Sequence, residues 1–111
     1  LFRSFATANS GRSGTIKWEA WQDMATQEIE TGGLTSAVIA GVIAAAAPWV
    51  GVRVAASVAA AVAGKYDTVT ISGKIRYGGD QDDIGYYERK TYFYGDGKLI
   101  KGPVTDSGVL D

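Results

Sequence analysis

Residues 34–64 form a run of 31 positions with a single charge, Arg53. Twelve of those positions are alanine and seven are valine, and the 22 residues 31–52 carry no charge at all. Alanine makes the run helical by propensity, and Thr35 or Ser36 supplies an N-cap. Pro48 interrupts it, because proline lacks a backbone donor and clashes with the preceding turn. Two geometries are open: one long helix kinked near Ala47, or a hairpin with Pro48 opening the second helix. At about 1.5 Å per residue, 36–47 spans roughly 18 Å and 48–63 roughly 24 Å. Neither half crosses a hydrocarbon core of about 30 Å, whereas both in line exceed it.

The flanks are polar and conventional. A length of 111 residues fits one domain, divided here into 1–33, 34–64 and 65–111. With no cysteine and no histidine, the chain has no disulfide framework, no thiolate site, and none of the usual nucleophile–base arrangements. Eleven basic and twelve acidic side chains leave no basic face for nucleic acid. No phosphate-cradling glycine loop opens a helix, since residues 11–14 lack the lysine and the preceding strand. The expectation is therefore a protein that is not an enzyme and uses no cofactor. The chain starts at Leu1, and residues 1–14 hold no apolar targeting run, which points to a fragment or to a processed, secreted product.

Residues 1–5 read as a short strand and 9–14 as a turn-rich loop. Trp18, Trp21, Ala25 and Ile29 recur at three- and four-residue spacing, which predicts an amphipathic helix ended by Gly32 and Gly33; a strand at 16–18 is the weaker alternative. Beyond Lys65 the period changes to two. Val69, Ile71, Ile75 and Tyr77 share one face of a strand, 78–85 is a loop, and 86–94 is a tyrosine-rich strand. A tight turn at Gly95, Asp96 and Gly97 leads to a short strand at 98–101, ended by Gly102 and Pro103, and 104–111 reads as a loose tail. The predicted fold is α+β: three or four antiparallel strands packed on the amphipathic helix and on the long hydrophobic helix, kinked or folded at Pro48.

Small residues recur every fourth position at Ala37, Gly41 and Ala45, and again at Gly51, Ala55, Ala59 and Ala63. Such ridges let helices approach closely, and leucine at Gly41 or Ala55 is expected to impair folding or assembly. A helix apolar all round is equally the mark of a core helix in a soluble domain. Seven side chains favouring the bilayer in 31–52 contribute only about 2–4 kcal/mol, and Arg53 limits insertion depth at a cost of about 2.5–3.5 kcal/mol at the bilayer centre. Tyr86, Tyr87, Tyr92 and Tyr94 could form a recognition surface, or simply pack across strands. Residues 80–85 begin like an EF-hand loop. Ile84 and Thr91 then stand where ligands belong, so a solvated acidic turn is expected and no metal.

A small polar frame around a long alanine-, valine- and glycine-rich segment resembles the secreted killer toxins of fungi encoded by double-stranded RNA viruses, such as those of corn smut and yeasts. The resemblance covers the arrangement of 34–64 and 68–101 and rests on no specific motif. It implies an α/β sandwich cut from a proprotein and toxicity toward competing cells. Bacteriocins with hydrophobic hairpins are similar in the same general way. Many such toxins are rich in disulfides; this chain has none and must be held by burial alone. The functional expectation is a secreted cytotoxin acting at the target-cell membrane, with the apolar segment buried until it inserts or assembles. The alternative is a binding module that recognises a cell-wall glycan or receptor through the tyrosines. A second toxin subunit or self-assembly is the further partner expected.

Overall fold

Pro48 and Gly51 decide what the apolar run becomes. Pro48 takes the first position of a 3-10 turn, Pro48–Val50, and Gly51 adopts φ 88°, which favours glycine. The run therefore folds into two helices of eleven residues each, α1 (Ser36–Ala46) and α2 (Val52–Val62), joined as a hairpin. Thr35 caps α1 by accepting from the Val38 amide at 3.4 Å. Each helix is about 16 Å long. The long central helix is corrected to this hairpin.

The computed structural model describes residues 16–110. The expected strand at 1–5 and loop at 9–14 lie outside them. Strands hold 46 % of the described residues and helices 26 %, so the fold is mostly β, not the α+β frame expected. Three long strands form an antiparallel meander: β4 (Thr68–Gly79), β5 (Gly85–Gly95) and β6 (Lys98–Leu110). Three short strands, β1 (Lys17–Trp18), β2 (Gln22–Asp23) and β3 (Gln27–Glu30), pair one after another along the other side of β4.

Those short strands replace the expected amphipathic helix, and the register shows why the sequence imitates one. From Trp18 to Gln22 the chain advances four residues while β4 moves three, from Gly78 to Ile75; the same happens between Asp23 and Gln27. Each interruption is a β-bulge, which adds one residue to one strand and increases its twist. A bulge turns the two-residue spacing of a strand into three. Trp18 and Trp21 accordingly stand on one face, both over the Arg76 guanidinium at 4.4 and 4.7 Å, whereas Ile29 packs against the core under the hairpin. The four residues share no face.

The meander runs further than the sequence suggests. β4 continues through Gly78 to Gly79, and β6 passes through a cis Gly102–Pro103 peptide to Leu110. The expected loose tail is paired with β5 from Val104 to Leu110. Extra residues on β6 near Gly102 and Ile100 absorb the irregularity, much as the bulges do on the opposite edge. Asp96 (φ 48°) and Gly97 (φ 83°) form the two-residue turn between β5 and β6, with positive φ at both positions, matching strand twist. The Asp96 carboxylate also accepts from the Thr68 amide at 3.0 Å, tying this turn to the start of β4.

The core lies between the hairpin and one half of one sheet face. Ile39, Ile43 and Ala47 from the first arm meet Ala55, Val58, Ala59 and Val62 from the second, over Val69, Ile71 and Phe93. Strands of eleven to thirteen residues extend roughly 36–44 Å, so helices of about 16 Å cover only one end. Phe93, fully buried in the central strand, is the keystone of that contact. Phe93→Ala is expected to cost about 3–5 kcal/mol in urea denaturation. Val38→Ala, at a half-exposed position on α1, should stay within about 1 kcal/mol.

Candidate functional site

Burial divides each helix lengthwise. In α2 the buried set Ala55, Val58, Ala59 and Val62 keeps the spacing of a helix face, and in α1 Ile39 and Ile43 play the same part. The opposite side of the hairpin is open. Val38 is 49 % exposed, Val42 37 %, Val52 80 % and Leu34, just before α1, 37 %. Ala37, Gly41 and Ala45 complete this outer surface on α1, and Arg53 and Ser57 belong to it on α2. Among the residues of α1 none is charged. The apolar segment is therefore not enclosed, which corrects the expectation of a segment buried in the soluble form.

The seven residues singled out for helix packing split between two surfaces. Ala55 and Ala59 are buried inside the fold, while Ala37, Gly41, Ala45, Gly51 and Arg53 face outward. A side chain built at Gly41 or Gly51 would meet nothing within 4 Å. Among the described residues, then, nothing packs tightly at Gly41, and the expectation for leucine there changes with it. No described helix is long and apolar enough to cross a membrane.

What holds the hairpin in place was not visible as a motif. Trp49, in the 3-10 turn, donates from Nε1 to the Thr91 hydroxyl at 2.8 Å. Its ring also lies 4.6 Å from the Arg89 guanidinium, which reaches Tyr87 at 5.2 Å. Arg89 in turn makes two hydrogen bonds to Asp106 on β6, at 2.9 and 2.6 Å. The hydrogen bond that Arg89 donates to Asp106 raises the Arg89 pKa above its ordinary value, against the opposing effect of burial. On the other side Gln27 Nε2 donates to the Ala46 carbonyl at 2.9 Å, satisfying one of the exposed acceptors at the end of α1. The only advance signals were a tryptophan beside the proline and an arginine among tyrosines.

The tyrosines do not form one surface. Strand alternation places Tyr87 on the hairpin side, with Arg89 and Trp49, and Tyr86, Tyr92 and Tyr94 on the other. Tyr86 is 3 % exposed and donates to Asp80 Oδ2 at 2.8 Å, so it is structural. Tyr92 and Tyr94 remain open, beside Ser72, Lys74 and Asp23. On the same face Arg76 pairs with Glu88 at 2.8 Å and stacks on both tryptophans.

Asp80 is buried rather than solvated. Its Oδ1 accepts from the Asp82 and Ile84 amides at 2.8 and 3.1 Å, which closes the β4–β5 turn from within. Those bonds, with Tyr86, occupy both carboxylate oxygens. Among the described residues no group of three acidic, histidine or cysteine side chains is placed to hold a metal ion.

Comparison with protein-family models, with curated proteins and with solved structures finds no match for this chain. Two substitutions separate the inner and outer surfaces: Ala55→Leu should destabilise by about 1–3 kcal/mol through overpacking, whereas Gly41→Leu should leave the thermal midpoint unchanged or higher. Trp49→Phe leaves the buried Thr91 hydroxyl unpaired and is expected to cost about 1–3 kcal/mol, seen as a lower midpoint in chemical denaturation.

Proposed function

We propose that this protein is a secreted cytotoxin that attaches to the target-cell membrane through the outer face of its helical hairpin. One observation carries the reading: Leu34, Val38, Val42 and Val52 stand exposed around a ridge of Ala37, Gly41 and Ala45, with no charge on α1. Contiguous apolar surface of this kind marks an interaction site. The four large side chains together expose about as much as two complete ones, so covering them contributes about 3–6 kcal/mol. That corresponds to a dissociation constant from the millimolar range down to tens of micromolar, the strength of a reversible surface contact.

The geometry limits depth. Held by its outer face, the hairpin lies along the surface, its helices of about 16 Å too short to cross a core of about 30 Å, and Arg53 on that face carries its charge to the headgroups while its stem lies along apolar surface. The hairpin in this fold therefore seats in one leaflet. The small-residue ridge then gives copies gathered on the membrane a surface for helix-to-helix approach. No stored helix has to be released, because the contact surface already faces outward.

Cosedimentation with phosphatidylcholine and phosphatidylglycerol vesicles, together with dye release from them, tests the proposal. Wild type is expected to bind and to cause leakage. The double variant Val38→Glu/Val42→Glu, placed on the outer face, should keep its melting behaviour and lose at least tenfold in binding, about 1.4 kcal/mol. Absence of binding and leakage with either lipid, from acidic to neutral pH, overturns it.

A further inference from the structure

Opposite the hairpin, the bulge between β2 and β3 pulls the edge strand out of step with β4 and the sheet surface opens into a cleft of about 470 Å³. Its size falls among small-molecule sites, which run from about 300 to 1,000 Å³. We propose that this cleft binds a neutral oligosaccharide. The proposal is independent of the membrane reading, since it concerns the other face of the sheet.

Tyr92 and Tyr94 supply the stacking surface. They stand two residues apart on β5 and share a face, so their side chains leave the strand on the same side, about 6.6 Å apart at the backbone. A tyrosine ring offers an apolar face with a polar tip, and a pyranose offers the complement, a patch of C–H groups rimmed by hydroxyls. Both tyrosines sit on a strand paired on each side, to β4 and to β6, so little ordering is needed on binding.

The polar rim suits hydroxyls rather than an ion. Thr26, Ser72, Tyr92 and Tyr94 line the cleft, and their side-chain hydroxyls make no hydrogen bond to other described residues. Each can donate and accept. Lys74 and Asp23 also line it, paired to each other at 2.8 Å. The hydrogen bond to Asp23, and then its charge, raise the Lys74 pKa above its ordinary value. The two charges cancel, so the lining itself carries no net charge to select a phosphate or a carboxylate. The Asp23 oxygens still accept from sugar hydroxyls, and the ammonium still donates.

The test is an amide NMR titration of the full chain with chitotriose, cellotriose and mannotriose, each to about 10 mM, a range that reaches weak binding. Saturable shifts centred on Ser72, Tyr92 and Tyr94 with at least one of the three are expected. Tyr92→Ala and Tyr94→Ala should each weaken binding at least tenfold. Thr26→Phe, which fills the cleft from an exposed position, should do the same without disturbing the sheet. Vesicle binding should be unchanged in Thr26→Phe, which keeps this outcome separate from that of the hairpin. Absence of saturation with all three sugars, or binding that survives both Thr26→Phe and the tyrosine substitutions, overturns the proposal.

Discussion

The structure depends on one packing contact: the inner side of the hairpin, Ile39, Ile43, Val58 and Val62, against Val69, Ile71 and Phe93 of the sheet. Nothing covalent assists it, as the chain has no cysteine. Burying a large aliphatic or aromatic side chain contributes about 1.5–3 kcal/mol, and this cluster contains most of the fully buried large side chains. The polar contacts around it act as guides. Gln27 satisfies the end of α1, and Trp49 lays the hairpin tip onto Thr91 and Arg89. Neither contributes as much as the apolar burial. Both fix where on the sheet the burial happens.

That placement gives the molecule two unlike faces. The hairpin side presents a charge-poor apolar surface on its outer helices. The bare side of the sheet presents aromatic rings interleaved with charges: Arg76 pairs with Glu88 and stacks on two tryptophans, Lys74 pairs with Asp23, and Lys90 lies over the ring of Trp21. Exposed ion pairs such as Lys74–Asp23 contribute little to stability, because water screens them. Their consequence is electrostatic: pairing removes most of the net charge from a face rich in charged residues.

Much of the second half of the chain was legible in the sequence. The alternation of Val69, Ile71, Ile75 and Tyr77 marked β4, and Gly95-Asp96-Gly97 marked the turn between β5 and β6, because one buried face and positive-φ residues leave direct traces. The apolar run was legible as helix, and the hairpin was one of its two geometries. Of the first strands only Lys17–Trp18 was legible, as the weaker alternative at 16–18, since the first bulge shifts Trp18 and Trp21 into a helical rhythm. The extension of β6 past Gly102 and Pro103 was hidden for a related reason: these residues usually end a strand and here sit at an irregularity within it. The outward position of Gly41 was hidden too, because α1 is as apolar on its outer side as on its inner side and offers no contrast to read. The cleft depends on a register offset that no local pattern records.

The irregular edges have a further consequence. Among the described residues the sheet ends at β1–β3 on one side and β6 on the other. Unpaired edges of long strands are templates on which another chain can add and start a fibril. Here the first edge is cut by two bulges into pieces of two, two and four residues. The second is interrupted at Gly102–Pro103, where proline offers no amide to an incoming strand. A protein with an apolar surface open to solvent gathers at high local density wherever that surface finds a home. Edges that refuse to extend keep such a crowd from becoming amyloid, and steer any assembly toward the helices instead.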